Sequence, residues 1–166
     1  MVYVIADTHF NHGNIIKYCN RPFKDANEMD ETLIANWNSV VGKDDTVYHL
    51  GDFALAKTEQ LQGYIRSLNG NIILLLGNHD RKAKSFWRSE GIQTYHQRRQ
   101  LELDGVILSH APVLFPDKLN IHGHTHKQAT IILDKYYCVS VECTDYKPIL
   151  LSEAISLGNK YISGQT

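Results

Sequence analysis

The chain has 166 residues, 43% hydrophobic and 21% charged, close to the averages of a globular domain, which excludes wholesale disorder. Its 17 Lys+Arg against 18 Asp+Glu leave a net charge of −1, so a strongly basic nucleic-acid binder is not indicated and any basic patch must be local. One domain of this length buries roughly two-thirds of the surface that its unfolded chain would expose.

The longest apolar run, Ile72 to Leu76, has the length of a strand and falls far short of a membrane span. No basic n-region or small-residue cleavage site marks the start of the chain. The three cysteines, Cys19, Cys138 and Cys143, are too few and odd in number for a disulfide framework. These features predict a cytoplasmic protein with reduced thiols and no membrane partner, with residues 1–166 forming a single domain.

Residues 2–6 read as a short buried strand and 14–19 as a short helix that Arg21-Pro22 ends, because a residue before proline leaves the helical region. Residues 27–41 carry an apolar stripe at Met29, Leu33, Ile34 and Trp37, spaced for a helix, with Asp25 or Asn27 as its cap. A strand is predicted over 46–50 and a helix over 57–68. A strand buried on both faces follows over 71–76, then a helix over 82–89. Residues 97–103 and 106–109 flank Asp104-Gly105 as a hairpin. Residues 119–122 form another strand, 130–133 and 136–141 a second hairpin, and 152–162 a closing helix capped by Ser152. Alternating βα units followed by mostly β predict an α/β protein with mixed sheets.

Five of these strand ends stop in ligand-type side chains. They read Ala6-Asp7-Thr8-His9, Leu50-Gly51-Asp52, Leu76-Gly77-Asn78-His79-Asp80, Leu108-Ser109-His110 and Ile121-His122-Gly123-His124-Thr125-His126. Binding sites of open α/β sheets form at the carboxyl ends of strands, so five such ends converge on one place. Gly51, Gly77 and Gly123 precede Asp52, Asn78 and His124, where a missing Cβ permits a strained turn or a close backbone approach. Carboxylate, imidazole and amide together suit a transition metal better than Mg²⁺ or Ca²⁺.

In this order the motifs resemble the calcineurin-like metallophosphoesterase superfamily, and the string Asp7-Thr8-His9-Phe10-Asn11-His12-Gly13-Asn14 is similar to that of a small single-domain bacterial and phage subgroup. The resemblance implies a sandwich of two mixed β-sheets flanked by helices (α/β/β/α), and at 166 residues no cap domain is expected. It also implies two divalent transition-metal ions, manganese foremost, with iron, zinc, nickel or cobalt as alternatives. Carried over, Asp7, His9 and His126 hold one metal, Asn78, His110 and His124 the other, and Asp52 bridges both. A hydroxide between the metals attacks phosphorus while His79 serves the leaving oxygen, with Asp80 orienting. His12, and the cations Arg21, Arg81 or Lys82, are the expected substrate contacts.

One stretch departs from the family. Many members continue the second block as Gly-Asp-x-x-Asp-Arg, with the Arg gripping phosphate, whereas this chain reads Gly51-Asp52-Phe53-Ala54-Leu55-Ala56. Losing that clamp disfavours a dianionic monoester and predicts a phosphodiesterase on a small or nucleotide-derived ester. Phosphomonoesterase or nuclease action at the same residues is the alternative. A metal-poor binding scaffold of this fold would lack ligands that this chain keeps. His49 and His122 are expected to pack within strands, and Arg98-Arg99 to lie on a solvated face.

Overall fold

Strand β1 (Val2–Ile5) shows how period-two alternation builds the layers: Tyr3 and Ile5 enter one apolar core, while Val4, with Ala6 just beyond the strand, enters another. The structure, a computed structural model, describes residues 1–95, 100–128 and 135–163. After β1 come α1 (Gly13–Tyr18), α2 (Ala26–Val40), β2 (Thr46–His49), α3 (Thr58–Ser67), β3 (Asn71–Leu75), α4 (Lys84–Ser89) and β4 (Gln93–Tyr95). The second half holds β5 (Leu101–Leu103), β6 (Val106–Ser109), β7 (Asn120–His122), β8 (Tyr136–Cys138), a 3-10 turn (Val141–Cys143), β9 (Ile149–Leu150) and α5 (Leu151–Ser163).

Two mixed sheets result. The first has the order β4-β3-β2-β1-β9, parallel except for β9, and the second β5-β6-β7-β8, parallel except for β5. Helices α2, α3 and α4 cover the outer face of the first sheet through Met29, Leu33, Trp37, Leu61, Ile65 and Trp87. The inner core joins Val4, Leu50 and Leu75 to Leu108, Ile121 and Tyr137 of the second sheet, and α5 adds Leu151 and Ala154. This is the α/β arrangement of two mixed sheets with flanking helices that the sequence predicts.

Register decides where the polar strand ends emerge. Ile5 lies opposite His49 and His49 opposite Leu74, so the segments that follow leave the first sheet side by side. Ser109, His122 and Cys138 are aligned in the second sheet in the same way. The sheets are joined at that edge, where the Ala6 N–H donates to Val139 O at 2.9 Å and the Val141 N–H to Ala6 O at 3.1 Å.

Local corrections have local causes. Asp25, not Asn27, caps α2, its carboxylate accepting from the Glu28 N–H at 2.9 Å. Helix α5 starts at Leu151, so Ser152 lies inside it and does not cap it. The strand predicted over 136–141 ends at Cys138, because Ala6 takes the next backbone groups and the chain turns. Strands β4 and β9 have three and two residues, too short for a periodic signal. Asp104 and Gly105 both have positive φ, 49° and 79°, as a type I′ hairpin turn requires. Arg98, Arg99 and the strand predicted over 130–133 lie outside the described residues.

Candidate metal centre and active site

The polar strand ends meet at the edge shared by the two sheets. Asp7, His9 and His126 bring ligand-type atoms within 4.8 Å of one another, and so do Asp52, His110 and His124. Asp52 stands between the groups, its Oδ2 3.7 Å from His9 Nε2 and 3.6 Å from His110 Nε2. Asn78 Oδ1 lies 2.8 Å from His110 Nε2.

The backbone pays for this convergence. Asp7, His9, Asp52, His124 and His126 all have φ between 51° and 69°, the left-handed region that costs an L-residue of order 1–3 kcal/mol and clusters at functional sites. Among the glycines before candidate ligands, Gly51 has a positive φ of 97°, and a Cβ there would sit 2.5 Å from Gly77 N. Gly77 and Gly123 are needed for space instead: a Cβ on Gly77 would overlap Asp52, and one on Gly123 would lie 2.5 Å from Asp7 Oδ2. The strain predicted for the glycines is therefore carried mostly by the polar residues themselves.

The electrostatics fit cations. Burial pushes the Asp7 carboxyl up to about 8, against the opposing pull of His126 and the Ser140 hydroxyl, which donates at 2.6 Å. Burial also holds His9 far below the usual imidazole range. Asp7 Oδ1 and both His9 ring nitrogens are buried without a hydrogen-bond partner, a state that native structures rarely leave unexplained. His110 Nδ1 lies 2.8 Å from Leu50 O, and a carbonyl only accepts, so Nδ1 carries the proton. Burial lowers the pKa of that imidazole against the opposing pull of Asp52. Its Nε2 lone pair then faces Asn78 Oδ1, Asp52 and His124 Nδ1, the last at 3.2 Å. The His110 Nε2 lone pair and the Asn78 and Asp52 oxygens are acceptors that repel one another with no cation between them, and a metal ion is what such a set accommodates.

Glu142, which nothing in its sequence neighbourhood singles out, completes the support. His126 Nδ1 donates to its Oε1 at 3.0 Å, and Arg21 Nε donates to the same oxygen at 2.8 Å. Burial works to lower the His126 pKa, but the Glu142 bond and the Asp7 charge outweigh it and raise it.

Arg21 is corrected from a substrate contact to a brace. Its side chain is fully buried, and it donates to Asp7 O at 2.7 Å and Thr8 O at 3.0 Å. Arg21→Met should leave both carbonyls and Glu142 uncompensated and destabilise the fold by about 3–5 kcal/mol. Urea unfolding checks this, and an unchanged midpoint would show that the brace is dispensable.

Asp80 accepts from the backbone N–H groups of Gly77 (2.7 Å), Asp52 (2.8 Å) and Phe53 (2.9 Å). It ties together the two loops that carry the candidate ligands Asp52 and Asn78. His79 keeps 39% of its side chain exposed, with Nε2 4.0 Å from Asp52 Oδ2. The His12 ring lies 5.5 Å from that of His9 and 6.4 Å from that of His79, at the mouth of the site. Arg81 is exposed and lines the same side as His79.

His49 is a buried structural histidine, as expected. Gly51 N–H donates to its Nδ1 at 3.2 Å, so its Nε2–H donates to Thr8 Oγ1 at 3.0 Å, and Thr8 donates to Phe53 O at 2.7 Å. Burial pushes the Cys19 thiol up to about 11, which removes it as a nucleophile near neutral pH.

Residues 1–146 match the calcineurin-like phosphoesterase family. The chain belongs to that family: it is a metal-dependent hydrolase of phosphoester bonds. It is 40% identical over 176 residues to the uncharacterized protein MJ1445 of Methanocaldococcus jannaschii, covering 96% of this chain and 92% of that one. The protein of unknown function AQ665 from Aquifex aeolicus has a TM-score of 0.74 at 30% identity, over 95% of this chain and 98% of that one. The nuclease MPE of Pseudomonas putida shares the fold, with a TM-score of 0.52 at 23% identity over 75% and 61% of the two chains. No helix among the described residues is long and apolar enough to cross a membrane.

Proposed function

We propose that the protein is a phosphodiesterase that works with two divalent metal ions, manganese foremost, within one domain spanning residues 1–166. The observation that carries this reading is the position of Asp52, whose carboxylate faces His9 on one side and His110 on the other at nearly equal distances. Asp7, His9 and His126 would hold one ion, Asn78, His110 and His124 the second, and Asp52 both. Such a pair, when bound, supplies Lewis-acid charge for the phosphoryl oxygens and a nucleophile available near neutral pH.

The chain's own residues do the positioning. Glu142 and Arg21 fix the His126 ring, Leu50 O fixes His110, and Asp80 locks the Asp52 loop to the Asn78 loop. His79, half in solvent beside Asp52, serves the leaving oxygen as a proton donor.

The preference for diesters rests on missing cations. Leu55 and Ala56 stand where a phosphate clamp would be, and Arg21 is committed inside the protein. Lys82 is tied to Thr58 Oγ1 at 2.8 Å, which leaves Arg81 as the free cation of those expected at the cleft. A singly charged diester asks less of such a site than a dianion. Protein stripped by chelator and reloaded with Mn²⁺ should hydrolyse bis-nitrophenyl phosphate with a kcat/KM at least about tenfold above that for nitrophenyl phosphate. The reverse order would overturn the diester preference, and no hydrolysis with Mn²⁺, Fe²⁺, Zn²⁺, Ni²⁺ or Co²⁺ would overturn the catalytic reading.

A further inference from the structure

His79 faces two ways: toward the ligand cluster and into a cleft of about 300 Å³ that it lines with Ala54, Leu55, Leu61, Arg81 and Trp87. We propose that this cleft binds the organic substituent of the scissile phosphoester, and that the substituent is a flat aromatic group; the inference rests on the phosphodiesterase reading above.

The volume lies at the lower end of small-molecule sites, about 300–1,000 Å³, and suits one ring system better than a polymer. The run Ala54-Leu55-Ala56 lays small and branched apolar side chains along one wall, with Trp87 contributing an aromatic one. Leu55 is 48% exposed although large and apolar, so a ligand ring seated here would remove it from water. Charge is complementary at the rim. Arg81 is exposed and pairs with no carboxylate among the described residues, while Lys82, also lining the cleft, is held by Thr58. Arg81 is thus the free cation at an apolar pocket whose one carboxylate, Asp80, is taken up by three backbone N–H groups, and it matches a singly charged phosphoester whose ring points inward. The direction follows from His79: an oxygen served by this ring carries its substituent into the space that the ring lines.

The test uses phenylphosphonate and methylphosphonate, which carry the same charge, cannot be hydrolysed as esters and differ only in the ring. Calorimetric titration of Mn²⁺-loaded protein should show phenylphosphonate binding about tenfold more tightly, the surplus of buried apolar area over the cost of ordering the ring. Leu55→Trp fills the cleft from a half-exposed position, without burdening the fold, and should bring that ratio close to one. Equal affinities in the unmodified protein, or a ratio that survives Leu55→Trp, would overturn the assignment. Binding of neither phosphonate, together with no ester hydrolysis, would sink the assignment along with the reading beneath it. A phenyl preference in an enzyme faster on monoesters would uphold the cleft and revise only the diester preference.

Discussion

Asp52→Asn should empty both proposed metal sites at once. The substitution keeps the shape, and the new amide oxygen can still accept the His79 N–H that Asp52 Oδ1 accepts at 2.8 Å. It removes the negative charge that the His9 and His110 sides share, and it turns an N–H donor toward ring nitrogens that must offer lone pairs. The Asn78–His110–His124 set is then left with no carboxylate, while the other set keeps Asp7. A shared residue predicts joint failure: metal analysis after dialysis should find the content falling from two ions per chain toward none. Activity should drop by at least about 10²–10³-fold, the cost of removing one preorganised electrostatic group. Loss of a single ion with the second retained at full occupancy would refute the bridge. Circular dichroism separates either result from unfolding.

His79→Ala should sort substrates by their leaving groups. An alkoxide departs poorly unless it is protonated, and a positioned acid accelerates such a step by about 10²–10⁴-fold; nitrophenolate leaves without help. Loss of kcat should therefore reach about 10²-fold or more on alkyl diesters and stay within about tenfold on nitrophenyl esters. His79 is partly exposed and meets the His9 and His12 rings in edge-type contacts, so the truncation is not expected to unfold the protein. Equal losses on both ester types would take the acid role away from His79 and point to a role in binding.

The candidate site was legible because its signal is short-range. An apolar strand followed within two residues by a carboxylate, amide or imidazole is written in consecutive letters. Strand register then carries those letters to one edge, as the alignment of Ile5, His49 and Leu74 shows. The βα units were legible for the same reason: the helical stripe of Met29, Leu33 and Trp37 is buried as its spacing requires. Strands β4 and β9 were not, because three or two residues carry no period and pair only where a neighbouring strand offers an edge.

Sequence alone determined the order and chemical identity of the residues at the strand ends, and with them the family, since each block is a local pattern that survives without its surroundings. Tertiary structure alone decided what Arg21 and Glu142 do. They are separated by 121 positions, and a cation in a loop after a helix looks the same in sequence whether it reaches solvent or folds back. Packing of the loop after α1 against the turn that follows β8 buries the guanidinium, and a buried guanidinium must satisfy its donors where it stands. Those donors meet the Asp7 and Thr8 carbonyls and Glu142. The same long-range closure turns Leu55 and Ala56, which read locally as the loss of a clamp, into part of the wall of a cleft beside His79.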